Sequence, residues 1–531
     1  MKKTAIFAFI FLALFWHSSL EALTHPVEFT IIHTSDFHSH LVPFDCASGT
    51  SMGGYARLKK YKENLEASGR KVVMLSSGDV FQGTLFFRFF QGIPDAEFMK
   101  KIGFDAMVLG NHEFDASQDG IVEAFKDATF PILSANLAFN GNAALSNMVK
   151  ESAVLPVTVG TETVKIGVFG LTDEKLFESA PLKLLKGVFI HDTDTSCQSQ
   201  LTSLKEKGAE TIIALTHLGF DRDIDLATKF PEVSGILGGH SHQFLPSPVV
   251  RNVPTGHQFV SQSGEFGRSV SRIDLRLTPT STGIQTEVIS AGLVPMSSDL
   301  PEDPEVKETA EKLWLQIADK VKTEIGETTS KLLGDKPFIR QMETTMGNVV
   351  ADGMNFVLDG DIALINGGGI RSSIQAGKIT IGDCLNVLPF DNFLVKLTMS
   401  GTALQHLFEQ IHAGMKKTSD FGGFMHVSNG FSVHYSAENV RLFFNGLPID
   451  PKRDYTVITN DFLALGGNGL TAFGESSTME ITEILTSDSL IKYVKKQVYF
   501  DCKIEGRIIN KMIAQPSRTF PTRVKVQQPE C

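Results

Sequence analysis

Side chains of metal-ligating type stand at the ends of five apolar runs in the first half of this chain. Asp36 and His38 follow residues 29–32, Asp79 follows 72–75 and Asn111 follows 106–109. His217 follows 212–215, and His240 and His242 follow 235–237. Carboxylate and amide oxygens mixed with imidazole nitrogens suit Zn, Mn, Co or Fe, and the absence of thiolates argues against a structural zinc site. Two such ions, about 3.5–4 Å apart, activate water, grip phosphoryl oxygens and stabilise the charge of an in-line displacement. Asp79 has two oxygens and Gly78 in front of it, so it is the residue able to bridge both ions. Each cluster alone has a duller reading. Asp36-Phe37-His38 reads as a turn, Gly78-Asp79 as a strand-to-loop junction and Gly239-His240 as a tight turn. Their joint occurrence, in this order and always after a strand-like run, is what points to a metal centre.

The elements that must position these groups come next. Short β-branched runs at 29–32, 72–75, 106–109, 132–134, 164–169, 212–215 and 235–237 alternate with helical stretches, as in a layered α/β domain. In such a sheet ligands collect at the carboxyl edge of the strands, so the clusters are expected to converge. Residues 269–277 look antiparallel, which makes the sheet mixed. Residues 305–323 read as one amphipathic connecting helix, opened by Asp303-Pro304 and apolar at Leu313, Leu315, Ile317 and Val321. A second α+β region with its own glycine-rich loops follows from Leu332. A chain of 531 residues is long enough for two or three domains.

The formal net charge of −11 argues against a nucleic-acid polymer or an anionic membrane as partner, because either requires a basic surface. Lys2 and Lys3 precede a continuously apolar run over 5–16, and cleavage is expected after Ala22. That run is short for a span needing ~20 residues. Export to the periplasm or outside the cell is expected, with no membrane span left after cleavage. The polar stretch 524–531 suggests no lipid-anchor tail. The cysteines Cys46, Cys197, Cys384, Cys502 and Cys531 are scattered; Cys502 and Cys531 could pair, which the sequence does not decide. Nothing in the sequence sets an oligomeric state.

The ordered set Asp-x-His, Gly-Asp, Gly-Asn-His-Glu, a later His and Gly-Gly-His-x-His resembles the calcineurin-like metallophosphoesterase superfamily. The resemblance narrows to the 5′-nucleotidase family, including its periplasmic UDP-sugar hydrolase members, through Asn111-His112-Glu113-Phe114-Asp115, Asn366-Gly367-Gly368-Gly369-Ile370-Arg371, and Asn460-Asp461-Phe462 followed by Gly466-Gly467-Asn468-Gly469. It implies a signal peptide (1–22), a catalytic β-sandwich domain flanked by helices (23–303), a linking helix (304–330) and an α+β nucleotide-binding domain (331–531). It implies one divalent ion on Asp36, His38, Asp79 and His242, and a second on Asp79, Asn111, His217 and His240. Some bacterial members have Gln where His242 stands. His112, oriented by Asp115, would serve as acid or charge stabiliser; His40 and Glu113 look structural. Arg371 would turn its guanidinium fork toward phosphate or carboxylate, Arg340 matches a further substrate-binding arginine of the family, and Lys336 stands where some members have another. Phe390 and Phe462 would sandwich a base, with Asn366 and Asn392 as polar contacts. Asn468 stands where the family usually has an Asp that receives the ribose hydroxyls, so ribose recognition is expected to be weakened or altered. The implied substrate is a nucleotide losing its 5′-phosphate, with UDP-sugars or di- and triphosphates as further candidates. The alternatives are a 2′,3′-cyclic phosphodiesterase with 3′-nucleotidase activity and a non-catalytic nucleotide-binding surface protein; the latter predicts a broken ligand set.

Overall fold

The computed structural model describes residues 23–45, 50–281, 283–390 and 392–512. The expected signal segment, Cys46 and Cys531 lie outside the described residues. The first domain is built on one thirteen-stranded sheet that folds over on itself. Its strands are β1 (Val27–Thr34), β2 (Val72–Ser76), β3 (Ala106–Val108), β4 (Ile132–Leu133), β5 (Val149–Lys150), β6 (Ser152–Val159) and β7 (Glu162–Thr172). They continue with β8 (Thr211–His217), β9 (Gly235–Gly238), β10 (Val249–Val253), β11 (Gly256–Gln262), β12 (Ser269–Thr280) and β13 (Gly283–Pro295). The order is β5-β4-β3-β2-β1-β12-β13-β11-β9-β8-β7-β6, with β10 added to β11.

Alternation along the strands divides their side chains between separate cores. Ile31, Val73, Leu75, Val164, Ile166, Val168, Ile213, Leu215 and Leu237 meet between the two halves of the sheet. Ile32, Val72 and Met74 point the other way, into a core shared with the helix Tyr55–Ala67. Phe169, Leu171, Ile212, Ala214 and Ile236 pack under the helices Thr193–Glu206 and Phe220–Lys229. Burial on both faces explains why these strands read as nearly unbroken apolar runs. The result is a β-sandwich with helices on its outer faces. The pairs β1–β2, β2–β3, β7–β8 and β8–β9 are parallel, whereas β12 runs antiparallel to β1.

The helix Pro304–Val321 has Pro at its start and an Asp303 side chain that accepts from Val306 N. Val306 and Ala310 join the first domain's core, and Ile317 and Val321 pack with Leu85 and Leu385. Leu315, assigned to the apolar face from the sequence, is instead 71% exposed. Two positions from Ile317, it falls on the opposite side of a 3.6-residue helix. The helix is also shorter than the expected 304–330. Glu324–Thr328 is a strand, paired with Gly377–Thr380 and Tyr499–Phe500. Gly326 and the β-branched Ile325 and Thr328 disfavour helix there.

The second domain holds a five-stranded sheet of β14 (Ile362–Asn366), β15 (Phe393–Ser400), β16 (Met425–Val427), β17 (Asp454–Asn460) and β18 (Thr478–Leu485), in the order β16-β14-β17-β15-β18. Ala363, Ile365, Leu394 and Ile458 pack with the helices Thr345–Leu358 and Thr486–Gln497. Ile362, Leu364, Val395, Leu397 and Val457 face the helix Gly401–Lys417. Among the described residues, Cys197, Cys384 and Cys502 form no disulfide with one another.

Candidate active site

The ends of β1, β2, β3, β8 and β9 bring the clusters together. Asp36, His38 and His242 form one group of possible ligands, and Asp79, His217 and His240 a second. Asp79 Oδ2 lies 3.0 Å from His217 Nε2 and 3.9 Å from His38 Nε2, so one oxygen faces both groups. Asn111 Oδ1 lies 3.2 Å from His217 Nε2 and 3.0 Å from His240 Nδ1. His242 Nε2 is 3.3 Å from Asp36 Oδ1 and 3.2 Å from His38 Nε2.

Hydrogen bonds on the far side of each ring decide what these atoms offer. His217 Nδ1 donates to Ser77 O at 2.6 Å, and His38 Nδ1 faces the carbonyls of Phe81 and Gln82 at 3.2 Å. His242 Nδ1 donates to Glu265 Oε2. The inward Nε2 atoms therefore carry lone pairs or an added proton, and they face carboxylate and amide oxygens that only accept. Asp36 Oδ2 is buried without a hydrogen-bond partner. Such a convergence of acceptors requires positive charge, so the donor set fits divalent cations. Burial lowers the His217 pKa, but Asp79 and its hydrogen bond outweigh this and raise it to about 10. Burial would raise Asp79, yet His217, His112 and His38 hold it well below the usual carboxylate range.

The backbone is unusual here. Asp36, His38, Asp79, His240 and His242 all have positive φ, from 49° to 75°. Non-glycine residues rarely adopt this, and such strain gathers at functional sites. Glu113 holds one part of it: its Oε2 accepts from Gly110 N (2.6 Å) and Asp79 N (3.0 Å), and its Oε1 from Val80 N (2.7 Å) and Phe81 N (3.3 Å). Gly110 has no room for a side chain, because a Cβ there would lie 2.2 Å from Asp79 Oδ1.

His112 N donates to Asp79 Oδ1 at 2.8 Å, and its Nδ1 pairs with Asp115 Oδ2 at 2.7 Å. Burial lowers the His112 pKa, but the carboxylates of Asp79 and Asp115 more than offset it, and the net shift is upward. Its ring lies 5.8 Å from that of Phe390, which belongs to the second domain.

A cleft of about 830 Å³ runs between the domains. Asp79, Asn111, His112, His240 and His242 line one side, and Lys336, Arg340, Arg371, Phe390 and Phe462 the other. Asn366, Asn392 and Asn468 also reach it. Arg371 Cζ lies 5.8 Å from the Phe390 ring centre. Arg340 Nη1 is 3.0 Å from Asp420 Oδ2. Burial, with Arg340 and Arg371 nearby, pushes Lys336 down to about 8. Gly367 lets the Asn366 loop pass the Arg340 segment, since a Cβ there would lie 2.2 Å from Ile339 O. Asn366 Nδ2 donates to Asn468 Oδ1 at 2.9 Å, and Asn468 has φ 57°. Sequence reasoning missed Glu265 and Asp420. It also missed Lys183, whose Nζ crosses to Asp461 Oδ2 at 2.7 Å beside Phe462. A clue to Glu265 was its place in Gly264-Glu265-Phe266-Gly267 directly after β11. No local signal marked the other two.

Residues 29–244 match the calcineurin-like phosphoesterase family, and residues 324–475 the 5′-nucleotidase C-terminal domain. The 5′-nucleotidase of Homo sapiens is 32% identical over 536 residues, spanning 91% of this chain and 90% of that protein. The snake venom 5′-nucleotidase of Crotalus adamanteus is 30% identical, spanning 94% of this chain and 91% of its own length. A trifunctional nucleotide phosphoesterase of Bacillus subtilis (strain 168) is 30% identical over 91% of this chain, which covers 35% of that longer protein. Among solved structures, the 5′-nucleotidase precursor of Thermus thermophilus superposes with a TM-score of 0.82 at 30% identity, covering 92% of this chain and 100% of that one.

Proposed function

The chain belongs to the 5′-nucleotidase family of calcineurin-like phosphoesterases, which are metal-dependent phosphoric monoester hydrolases, and on that premise we propose that it is an exported 5′-nucleotidase. Its substrates are nucleoside monophosphates, with nucleotide sugars and nucleoside di- or triphosphates as further candidates. One observation carries the reading: the metal-ligand groups and the Arg340, Arg371, Phe390 and Phe462 side chains line the same cleft from opposite domains.

Asp36, His38, Asp79 and His242 would hold one divalent ion, and Asp79, Asn111, His217 and His240 the other. When bound, such a pair supplies Lewis-acid stabilisation of the phosphoryl oxygens and activation of water. His112 stands ready to protonate the leaving 5′-oxygen: Asp115 occupies Nδ1, leaving Nε2 for the substrate. Arg340 and Arg371 bind phosphate oxygens through their planar donor forks, with Lys336 adding charge. Phe390 and Phe462 flank the base, and Asn366, Asn392 and Asn468 make polar contacts to the nucleoside.

The test is a phosphate-release panel with added Mn, Zn or Co over AMP, ADP, ATP, UDP-glucose, 3′-AMP, 2′,3′-cyclic AMP and an aryl phosphate, on wild type and Phe462→Ala. Base stacking contributes about 1–3 kcal/mol. Phe462→Ala is therefore expected to lower kcat/KM for AMP by about one to two decades, with the aryl phosphate nearly unaffected. Preference for 3′-AMP and the cyclic nucleotide over AMP would overturn the 5′-nucleotidase reading. Equal losses on AMP and the aryl phosphate would assign Phe462 to the fold.

A further inference from the structure

We propose that Glu265 is the positioning residue that makes His242 a metal donor, so that, given the two-ion reading above, the ion on Asp36, His38 and His242 depends on Glu265 and the ion on the other group does not. The histidines of the site differ in what holds them. His217 Nδ1 is held by the carbonyl of Ser77, and His38 Nδ1 faces the carbonyls of Phe81 and Gln82. Those partners are main chain and survive any substitution. His242 Nδ1 is held by a side chain, Glu265 Oε2, and no other partner of this atom is seen among the described residues.

Glu265 is itself fixed at both ends. Its Oε1 accepts from Arg268 Nη2 at 2.7 Å, and Arg268 Cζ lies 4.5 Å from the Phe244 ring centre. The loop that carries it is tied to the ligand segment by Phe266 N donating to Asp36 O at 2.7 Å. Gly264 takes φ 83°, and a Cβ there would lie 2.2 Å from the Phe244 ring, so the loop closes tightly under Glu265. The carboxylate thereby selects the His242 tautomer with Nδ1 protonated and turns Nε2 toward Asp36 and His38. A charged partner also makes the imidazole a stronger donor. Loss of Glu265 leaves the His242 ring free to turn about χ1 and χ2, because its contacts with the His38 and Phe266 rings are edge-on or tilted, with centroids 5.1 and 6.2 Å apart.

The experiment measures metal rather than turnover. Wild type, Glu265→Ala and Glu265→Gln are stripped, reloaded with Mn or Zn, and passed through gel filtration for elemental analysis. A chelator competition then gives the affinity of each ion, and melting of the metal-free proteins reports folding. Wild type is expected to keep two ions. Glu265→Ala should bind one of them about 10–100-fold more weakly and keep the other unchanged. Glu265→Gln should fall between, since its amide oxygen still accepts from Nδ1 but carries no charge. In a His242→Gln background, Glu265→Ala should add no further loss, because the ring it orients is gone. Wild-type affinity for both ions in Glu265→Ala and Glu265→Gln would overturn the proposal. So would equal weakening of both ions, or an undiminished effect in the His242→Gln background. Wild type that retains no ion would overturn the two-ion reading itself, a result distinct from all of these.

Discussion

Replacing Glu113 by Gln tests how the strained loop around Asp79 is held. Burial pushes the Glu113 pKa up to about 7. At pH 8 the group is therefore a carboxylate, able only to accept, and each oxygen receives two main-chain N–H groups. Gln keeps the shape but can satisfy only one pair with its carbonyl oxygen; its NH₂ faces the other pair, donor to donor. Two bonds to a charged acceptor are lost, at about 1.5–3 kcal/mol each. Relief of repulsion from Asp79 returns part of this, so the expected destabilisation is about 2–5 kcal/mol. The assay is urea unfolding of the metal-free protein at pH 8. Far-UV circular dichroism and the fluorescence of Trp314, which packs against Phe86 of the first domain, report the transition. The midpoint should fall by about 1–2 M. A loss below about 1 kcal/mol would refute the argument, and it would mean that other contacts hold Asp79 in its left-handed conformation.

Asp79→Asn should impair metal retention and abolish hydrolysis of every substrate, aryl phosphates included; near-normal turnover in the metal-replete variant would remove Asp79 as a bridging ligand. His112→Ala should keep both ions while losing about 10²–10⁴-fold in rate, and loss of a metal equivalent in elemental analysis would show it to be a ligand. Burial raises the Asp223 pKa to about 7, against the opposing hydrogen bonds from Thr216 and Gln262. A group raised on folding stabilises fully below its unfolded pKa, and that contribution is lost as pH rises through the folded value. The unfolding free energy of wild type minus that of Asp223→Asn should fall from about pH 4 to about pH 7 and stay level above. A difference that does not change with pH would place the Asp223 carboxylate in a charged, compensated site.

Much of the first domain was legible because its strands are buried on both faces. Runs such as Val72–Ser76 and Thr211–His217 carry their own signature, and the chemical residues stand directly after them. The helix after Asp303 was legible through its cap and Pro304, but Leu315 was misplaced because a one-dimensional count of apolar residues does not distinguish faces two positions apart. What could not be read is of two kinds. The positive φ values at Asp36, His38, Asp79, His240 and His242 belong to residue types with no local need for them, and only the surrounding contacts impose them. The partners Glu265–His242, Arg340–Asp420 and Lys183–Asp461 join residues 23, 80 and 278 positions apart, and each member alone is an ordinary charged side chain.

The two walls of the cleft are held by different kinds of contact. The ligand rings of His38 and His217 are held by main-chain carbonyls, inside a sandwich whose core closes on both sides of the strands that carry them. His242 and His112, which line the cleft, are held instead by the Glu265 and Asp115 side chains. The opposite wall of the cleft is held by side chains: Arg340 by Asp420, Asn366 by Asn468, and the Phe462 segment by the Lys183–Asp461 pair. Replacing Asn468 would free Asn366 Nδ2 without touching a candidate metal ligand. On the reading proposed above, substitutions at Asp420, Asn468 or Asp461 would alter the substrate side of the cleft, whereas substitutions at Glu265 or Asp115 would reach the phosphoryl side.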